Sequence, residues 1–477
     1  MIRHVKELVG GYMVLNLESR FEAYCDELVK ALSHADRSQP ARWYLKGLML
    51  PGSRKSVEPM AARVCPHDVR SAHQSMHHLV ADADWSDDTL LATVARLILP
   101  SLTARSEAIS WIVDDTGFPK KGTHSVGVAR QYCGQVGKTD NCRVAVSLSL
   151  GTAAGSLPLS YRLYLPREWT DDAKRRRAAG VPEATVFATK NEIARVQIEA
   201  ALHAGIPRGT VLGDAAYGDD TALRDWLTEQ QLVYAVGVRT GTAVWWREHQ
   251  PVAAPVIGRR GKTKTHLTRD EDHQPISVLA LAQSLAPQCF RTFSWREGTV
   301  EPLHSRFARV RVRAAHRDVP RKEEWLVIEW PRGEAEPSRY WLSTHPKDMP
   351  FAALVESIKA RWRIERDYQE LKQEFGLGHY EGRNWRGFHH HASLCIAAYG
   401  FLMRERLSGA KKNADRFTEP ALPEGFRPRG ATTDATPRPE FDPNMALPPR
   451  RRYRKGVAPM SMLRAECKSG YEYLITQ

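Results

Sequence analysis

The sequence has no C-x-x-C pair. Its seven cysteines, Cys25, Cys65, Cys133, Cys142, Cys289, Cys395 and Cys467, are scattered along the chain. That spacing excludes a zinc ribbon and a dithiol redox motif, and an odd number of dispersed thiols fits a reducing compartment better than a disulfide-stapled scaffold. Long apolar runs are missing as well. Nothing approaches the ~20 residues a helix needs to cross a bilayer, and the opening MIRHVKELVGGYMVLNLESRF has no signal-peptide core followed by a cleavage site. The expectation is a cytoplasmic, nucleoid-associated protein with no membrane partner. Acid is the charge in short supply: 55 Asp and Glu against 69 Lys and Arg leave a formal net charge of +14. A surplus of that size favours polyanionic partners, because neutralising phosphates releases counterions, but charge alone leaves nucleic acid as one reading among several. No internal repeat is visible.

What is there is enough for two or three domains, since 477 residues with 42% hydrophobic composition can bury an ample core. Residues 1–105 read as helical: Leu15, Leu17, Phe21, Tyr24, Leu28 and Leu32 recur at helical spacing, DDTLLATVARLILPSL gives a second apolar face, and the basic string from Arg54 to Val64 opens room for another helix. Over residues 106–239 the pattern becomes strand (AISWIVDDTG), hairpin (CRVAVSLSLGTAAGSLPLSYRLYLP), helix (TKNEIARVQIEAALHAG), strand (GTVLGDAAYG), helix and strand, a mixed α/β order. Residues 240–345 interrupt it with short alternating runs and polar linkers, which predicts a β-rich insertion. Residues 346–408 return to helix, with PFAALVESIKARWRIERDYQELKQEFGLG read as one long amphipathic helix stopped by Gly376 and Gly378. Residues 409–477 are Pro- and Arg-rich and read as a flexible tail.

Three acids stand out by the elements that carry them. Asp115 ends the first strand of the α/β region, Asp214 ends the strand after the first helix, and Glu365 lies inside the long helix beyond the insertion. Strand ends at one sheet edge are neighbours, and a covering helix can bring a third carboxylate to them. Such a set suits hard cations with oxygen ligands, and two of them ~3.5–4 Å apart can activate a nucleophile and stabilise the leaving oxygen of a phosphodiester. Taken singly, each acid is as well explained as a cap, a turn former or a solvated helix carboxylate beside Arg361 or Lys372. Pattern and periodicity do not decide between these readings.

DDTG on the first strand, LGDAAYG on the later strand and RWRIERDYQELKQEFGLGHYEGRNWRGFHHHA resemble the three catalytic blocks of bacterial insertion-sequence DDE transposases with a YREK-type glutamate block, most closely the insertion-sequence 701 family. RKSVEPMA near the N-terminus and GTHSVGVARQYCGQVGKTDNC after the first acid support the likeness, which runs from about Tyr44 to Phe401. The resemblance implies an RNase H-like mixed sheet with a β-rich insertion and a helical N-terminal domain. It implies Asp115, Asp214 and Glu365 as catalytic residues and ligands of two Mg²⁺ ions, with Mn²⁺ as a substitute, and Asp114 as a supporting neighbour. Arg361 and Lys372 match the signature's Arg and Lys and become DNA contacts, whereas Ile358 falls where the signature has tyrosine. Tyr368, one turn after Glu365, is the candidate to replace that hydroxyl. Trp295 in FSWREGT is the candidate to stack on a base near the cleaved end, with sheet core as the competing reading. The implied partners are double-stranded DNA, as element ends gripped by the N-terminal region and the insertion and as target, and a second copy of the chain. A nuclease that cuts without joining, or a non-catalytic DNA-binding regulator, are the alternatives.

Other features are ambiguous. His389, His390 and His391 are consecutive, so on a helix they face different directions and do not make a zinc site, though one could touch phosphate. Trp245, Trp246 and Arg247 fit core or nucleic acid equally.

Overall fold

The computed structural model describes residues 16–409 apart from 105, 107, 248, 250, 254–266, 270, 297–301 and 318, together with the backbone of 8–9, 12–13, 253 and 410–412. Of the Pro- and Arg-rich segment expected as a tail over residues 409–477, residues 409–412 continue the last helix and the rest lies outside the described residues.

Five helices come first: α1 (Leu17–Val29), α2 (Ser38–Met49), α3 (Val57–Val64), α4 (Val69–Ala81) and α5 (Asp87–Thr103). Capping starts three of them, Asn16 accepting from Ser19 N at 2.8 Å, Asp68 from Ser71 N at 3.1 Å and Ser86 from Thr89 N at 3.1 Å. Twelve strands make one mixed sheet: β1 (Ser110–Pro119), β2 (Ala129–Cys133), β3 (Lys138–Thr152), β4 (Gly155–Leu163), β5 (Thr210–Gly213), β6 (Tyr234–Val238), β7 (Ala243–Trp246), β8 (Ile276–Ser277), β9 (Arg291–Arg296), β10 (Leu303–Ala314), β11 (Glu324–Glu329) and β12 (Arg339–Ser343). Their order is β8-β7-β10-β11-β12-β6-β5-β1-β3-β2, with β9 on β10 and β4 on β3. The run β4-β3-β1-β5-β6 has β5 and β6 parallel to β1, and β3 antiparallel to it. The strands of residues 240–345 extend this sheet through β12 on β6.

Helices cover both faces: α6 (Lys190–His203), α7 (Ala215–Gly218), α8 (Thr221–Glu229), α9 (Phe351–Lys359), α10 (Trp362–Gln373) and α11 (Trp385–Lys412). The single long helix expected after the insertion is in fact two, α9 and α10. At the junction Ala360 N bonds both Glu356 O and Ser357 O, while Arg363 N and Ile364 N each reach back three residues, so the ladder tightens to a 3₁₀ pattern and bends. No Gly or Pro marks the break, so the sequence carries no sign of it.

The last helix ties the parts together. Tyr24 Oη donates to Ala397 O at 2.9 Å, the Phe21 and Phe401 rings meet edge-on, and His389 Nε2 accepts from Leu163 N at 3.2 Å. All three consecutive histidines are buried. His391 Nδ1 lies 2.8 Å from Tyr44 Oη and its Nε2 is 2.9 Å from Gly376 O, while His390 sits between Val80 O and Trp85 O. None is available to phosphate; they serve as internal struts.

Candidate active site

Strand β1 carries the first acids out to the sheet edge. Side chains alternate across a strand, and the pairing registers carry that parity through the sheet. Asp114 pairs with Ser147 of β3, and Ser147 Oγ lies 2.8 Å from Tyr368 Oη of α10, so Asp114 faces α10. Asp115 faces the other way, where Lys190 Nζ of α6 reaches its Oδ2 at 2.8 Å. Strand β5 runs parallel beside β1, with Ile112 level with Leu212, which sets Asp214 level with Asp114 one strand away. Asp214 caps α7 through Ala216 N at 2.9 Å. The glycines of GDAAYG follow from crowding: a Cβ on Gly218 would run into the Gly237 carbonyl of β6.

The bend between α9 and α10 brings the third acid in. Arg361 stands at the bend, its Nη1 2.9 Å from Asp114 Oδ2 and its Nη2 3.4 Å from Glu365 Oε1. Burial pulls the Arg361 pKa down, but Asp114, Asp214 and Glu365 outweigh it and hold the guanidinium firmly charged. Asp114 is pushed up to about 7, mainly by burial and further by Asp214 and Asp115, against the opposing pull of Arg361. Both its oxygens are committed, one to Arg361 and one to Asp115 N at 2.9 Å. Tyr217 of α7 is buried among these charges: burial first, then Asp115, Asp114 and Asp214, raises its pKa, and its hydroxyl has no hydrogen-bond partner.

Among the described residues no three histidine, cysteine, aspartate or glutamate side chains converge closely enough to hold a metal ion as they stand. The physical reason is that two cations already sit on the acids, Arg361 between Asp114 and Glu365 and Lys190 on Asp115. The donor set itself is all carboxylate oxygen, which suits Mg²⁺. Glu365, its side chain 67% exposed, is free to turn, and the orphaned Tyr217 hydroxyl leaves room for a polar occupant among the aspartates.

The sequence matches the family described as DDE superfamily endonuclease over residues 27–302, more than half of the chain. This chain belongs to that family. The match takes in Asp114, Asp115 and Asp214 and stops before Glu365. The family implies an RNase H-like core within the mixed α/β sheet. Over 220 residues the chain is also 32% identical to a probable transposase for insertion sequence element IS701 from Microchaete diplosiphon, covering 46% of this chain and 53% of that protein. The chain thus spans about half the length of the curated relative it matches. No helix among the described residues is long and apolar enough to cross a membrane.

Around this DDE endonuclease core the other candidate residues scatter. Tyr368 is a packing residue in this structure, buried and bonded to Ser147, which leaves no hydroxyl for a phosphate. Lys372 is turned away from Glu365: its Nζ donates to Gly117 O and Gln135 Oε1, each at 3.0 Å, and burial lowers its pKa to about 8. Trp295 is half-buried, edge-on to Phe307 at 5.7 Å, with Lys359 Nζ 4.2 Å above its ring. Its face is therefore covered by a lysine that is itself paired with Glu329 at 2.6 Å. Lys190 was not legible as a site residue. The only signal is that it follows the capping threonine of α6, where the helix dipole disfavours a cation unless a carboxylate is near.

Proposed function

We propose that this chain is a DNA transposase that binds the terminal inverted repeats of its own element as a homodimer, cleaves the phosphodiester and joins the freed 3′-hydroxyl to target DNA. The observation that carries the reading is the meeting of Asp114 and Asp214, from two adjacent parallel strand ends, with Glu365 around Arg361, with Asp115 next in the chain, in a chain of the DDE family. Asp115, Asp214 and Glu365 would hold two Mg²⁺ ions, for which Mn²⁺ can stand in, and these supply an activated oxygen nucleophile and charge neutralisation at the leaving oxygen. Asp115 is preferred to Asp114 on the resemblance of DDTG and because it keeps an oxygen free, whereas both oxygens of Asp114 are bound. Since Asp115 lies on the opposite face of β1, it has to leave Lys190 and turn at the strand end to join Asp214 and Glu365. Asp114 then acts as a positioning residue that fixes Arg361, and Arg361 in turn orients Glu365. Cleavage by water leaves a 3′-hydroxyl, and its attack on target DNA exchanges one P–O bond for another, so joining needs no other energy source.

The test is incubation of the full chain with its element ends and Mg²⁺, with products resolved on a denaturing gel. Joined strands are expected; nicks alone would favour a nuclease that does not transfer strands. Asp214→Asn should bind the ends and fail to cut them, and persistent cutting by that variant would remove Asp214 from the site.

A further inference from the structure

A second charged site lies on the same sheet, away from the acids. Strand β10 reads RFARVRVRA, which sends Arg309, Arg311 and Arg313 to one face. Following the register from Arg309 through Val327, Trp341 and Gly237, and on from Ala235 through Leu212 to Ile112, this is the face that carries Asp114. Five strand spacings separate β10 from β1, roughly 24 Å at ~4.8 Å each. The arginines line an open cleft of about 780 Å³ together with Trp246, Arg247, Glu323 and Trp325.

The guanidiniums in this cleft are ordered and under-neutralised. Arg309 and Arg311 lie over the Trp325 ring at 4.5 and 4.8 Å, and Arg247 lies over Trp246 at 4.2 Å. A planar guanidinium stacked on an indole keeps its N–H groups available in the ring plane. Arg309 spends Nη1 on Met349 O at 2.7 Å and Arg311 spends Nη2 on Glu323 O at 2.6 Å, and the other N–H groups of each remain for an acceptor. Glu323 alone serves Arg311, Arg313 and Lys347, at 3.6, 3.3 and 3.2 Å. Among the described residues Arg309 and Arg247 have no carboxylate partner, and Nε and Nη1 of Arg311 are buried without a hydrogen bond. Five cations thus face one carboxylate. Arginines that only kept the surface soluble would not need to be half-buried and stacked.

We propose that this cleft grips the sugar–phosphate backbone of duplex DNA, without regard to base sequence, beside the cleavage centre. The proposal rests on the DNA reading above and adds to it a second contact about 24 Å from the acids, about seven base pairs at ~3.4 Å per step. Guanidinium forks can grip phosphate or guanine; the occupant is a backbone because these forks lie stacked on indoles inside a cleft, where phosphate oxygens reach and base edges on the floor of a groove do not.

The experiment measures binding of the full chain to a fluorescent duplex of random sequence across a salt series. Arg247→Gln/Arg309→Gln/Arg313→Gln should flatten the slope of log K against log salt by about 2.7, at ~0.9 per lost phosphate contact. Glu323→Gln, which removes the sole carboxylate and disturbs little packing, should tighten binding severalfold and steepen the slope. Slopes unchanged from wild type in both variants would overturn the proposal, and the Glu323→Gln arm decides alone if the triple variant does not fold. Wild-type chain that binds no DNA at all would overturn the function proposed above and this inference with it, a result separable from unchanged slopes.

Discussion

The acidic edge of the sheet and the arginine cleft share one face, yet they balance charge in opposite ways. At the edge four carboxylates meet two cations: Asp114 and Glu365 share Arg361, Asp115 has Lys190, and Asp214 caps α7. In the cleft, Arg311, Arg313 and Lys347 divide Glu323 among them, and Arg247 and Arg309 have no carboxylate among the described residues. The first arrangement is in surplus of carboxylates and suits an incoming metal cation. The second is in surplus of cations and attracts a polyanion. Chemistry at the edge should therefore hinge on single atoms, while binding at the cleft should scale gradually with the number of charges.

The sharpest way to break the comparison is at β1. Asp115→Asn should lower cleavage by about a thousandfold or more, the scale on which losing a group that stabilises transition-state charge acts, with duplex binding retained. Asp114→Asn should cut cleavage much less, and the reverse ranking, measured as single-turnover rates, would hand the catalytic role to Asp114. Next in size is Arg361→Gln. It strands a buried carboxylate, and breaking a buried pair costs about 3 kcal/mol. Because Asp114 can take up a proton, the loss of melting temperature should be larger near about pH 8 than near about pH 6. An equal loss at both would mean that Asp114 stays ionised without its arginine.

How much of this was legible in the sequence differs between the two regions for a physical reason. The acids lie in short strings whose neighbours fix their elements: SWIV before Asp114, TVLG before Asp214, and an amphipathic run around Glu365. Helix and strand periodicity could place each acid, and the resemblance of the blocks could group them. The bend at Ala360–Arg361 could not be read, because it arises from tertiary packing in a segment of good helix formers. Nor could the orientation of Tyr368, since one turn past Glu365 on a helix is the same side in sequence terms but faces Ser147 once α10 packs on β3. The arginine cleft was half visible. RVRVR alternates plainly, but that Glu323 is its only counter-charge among the described residues depends on the pairing of β10 with β11, which no local pattern reveals.

The smallest expected effect separates the regions by titration, since arginines stay charged throughout while the acidic half is backed by buried neutral histidines. Burial lowers His389 to about 3 and His391 to about 4. Each fits the neutral tautomer. His391 donates from Nε2 to Gly376 O and accepts the Tyr44 hydroxyl at Nδ1, and Arg143, His379 and Lys120 nearby oppose a further positive charge. Both folded pKa values lie below the unfolded value of ~6.5, so the unfolded chain binds more protons and stability is lost as pH falls through that window. The slope is about 1.4 kcal/mol per pH unit for each histidine, starting near pH 6.5 and ending near the folded values. Asp114 and Asp367, raised by burial to about 7 and about 6, act in the opposite sense between their unfolded pKa and those values, so the informative quantity is a difference. His391→Gln keeps the donor to Gly376 and removes the titration. It should cost about 1 kcal/mol at neutral pH for the lost Tyr44 bond, and on going to about pH 5 the difference should move by about 2 kcal/mol in the variant's favour, so that it changes sign. Denaturant melts at several pH values read this directly. A gap that stays constant with pH would show that His391 is protonated in the folded chain, and the neutral-strut account of the helix behind the acids would fail.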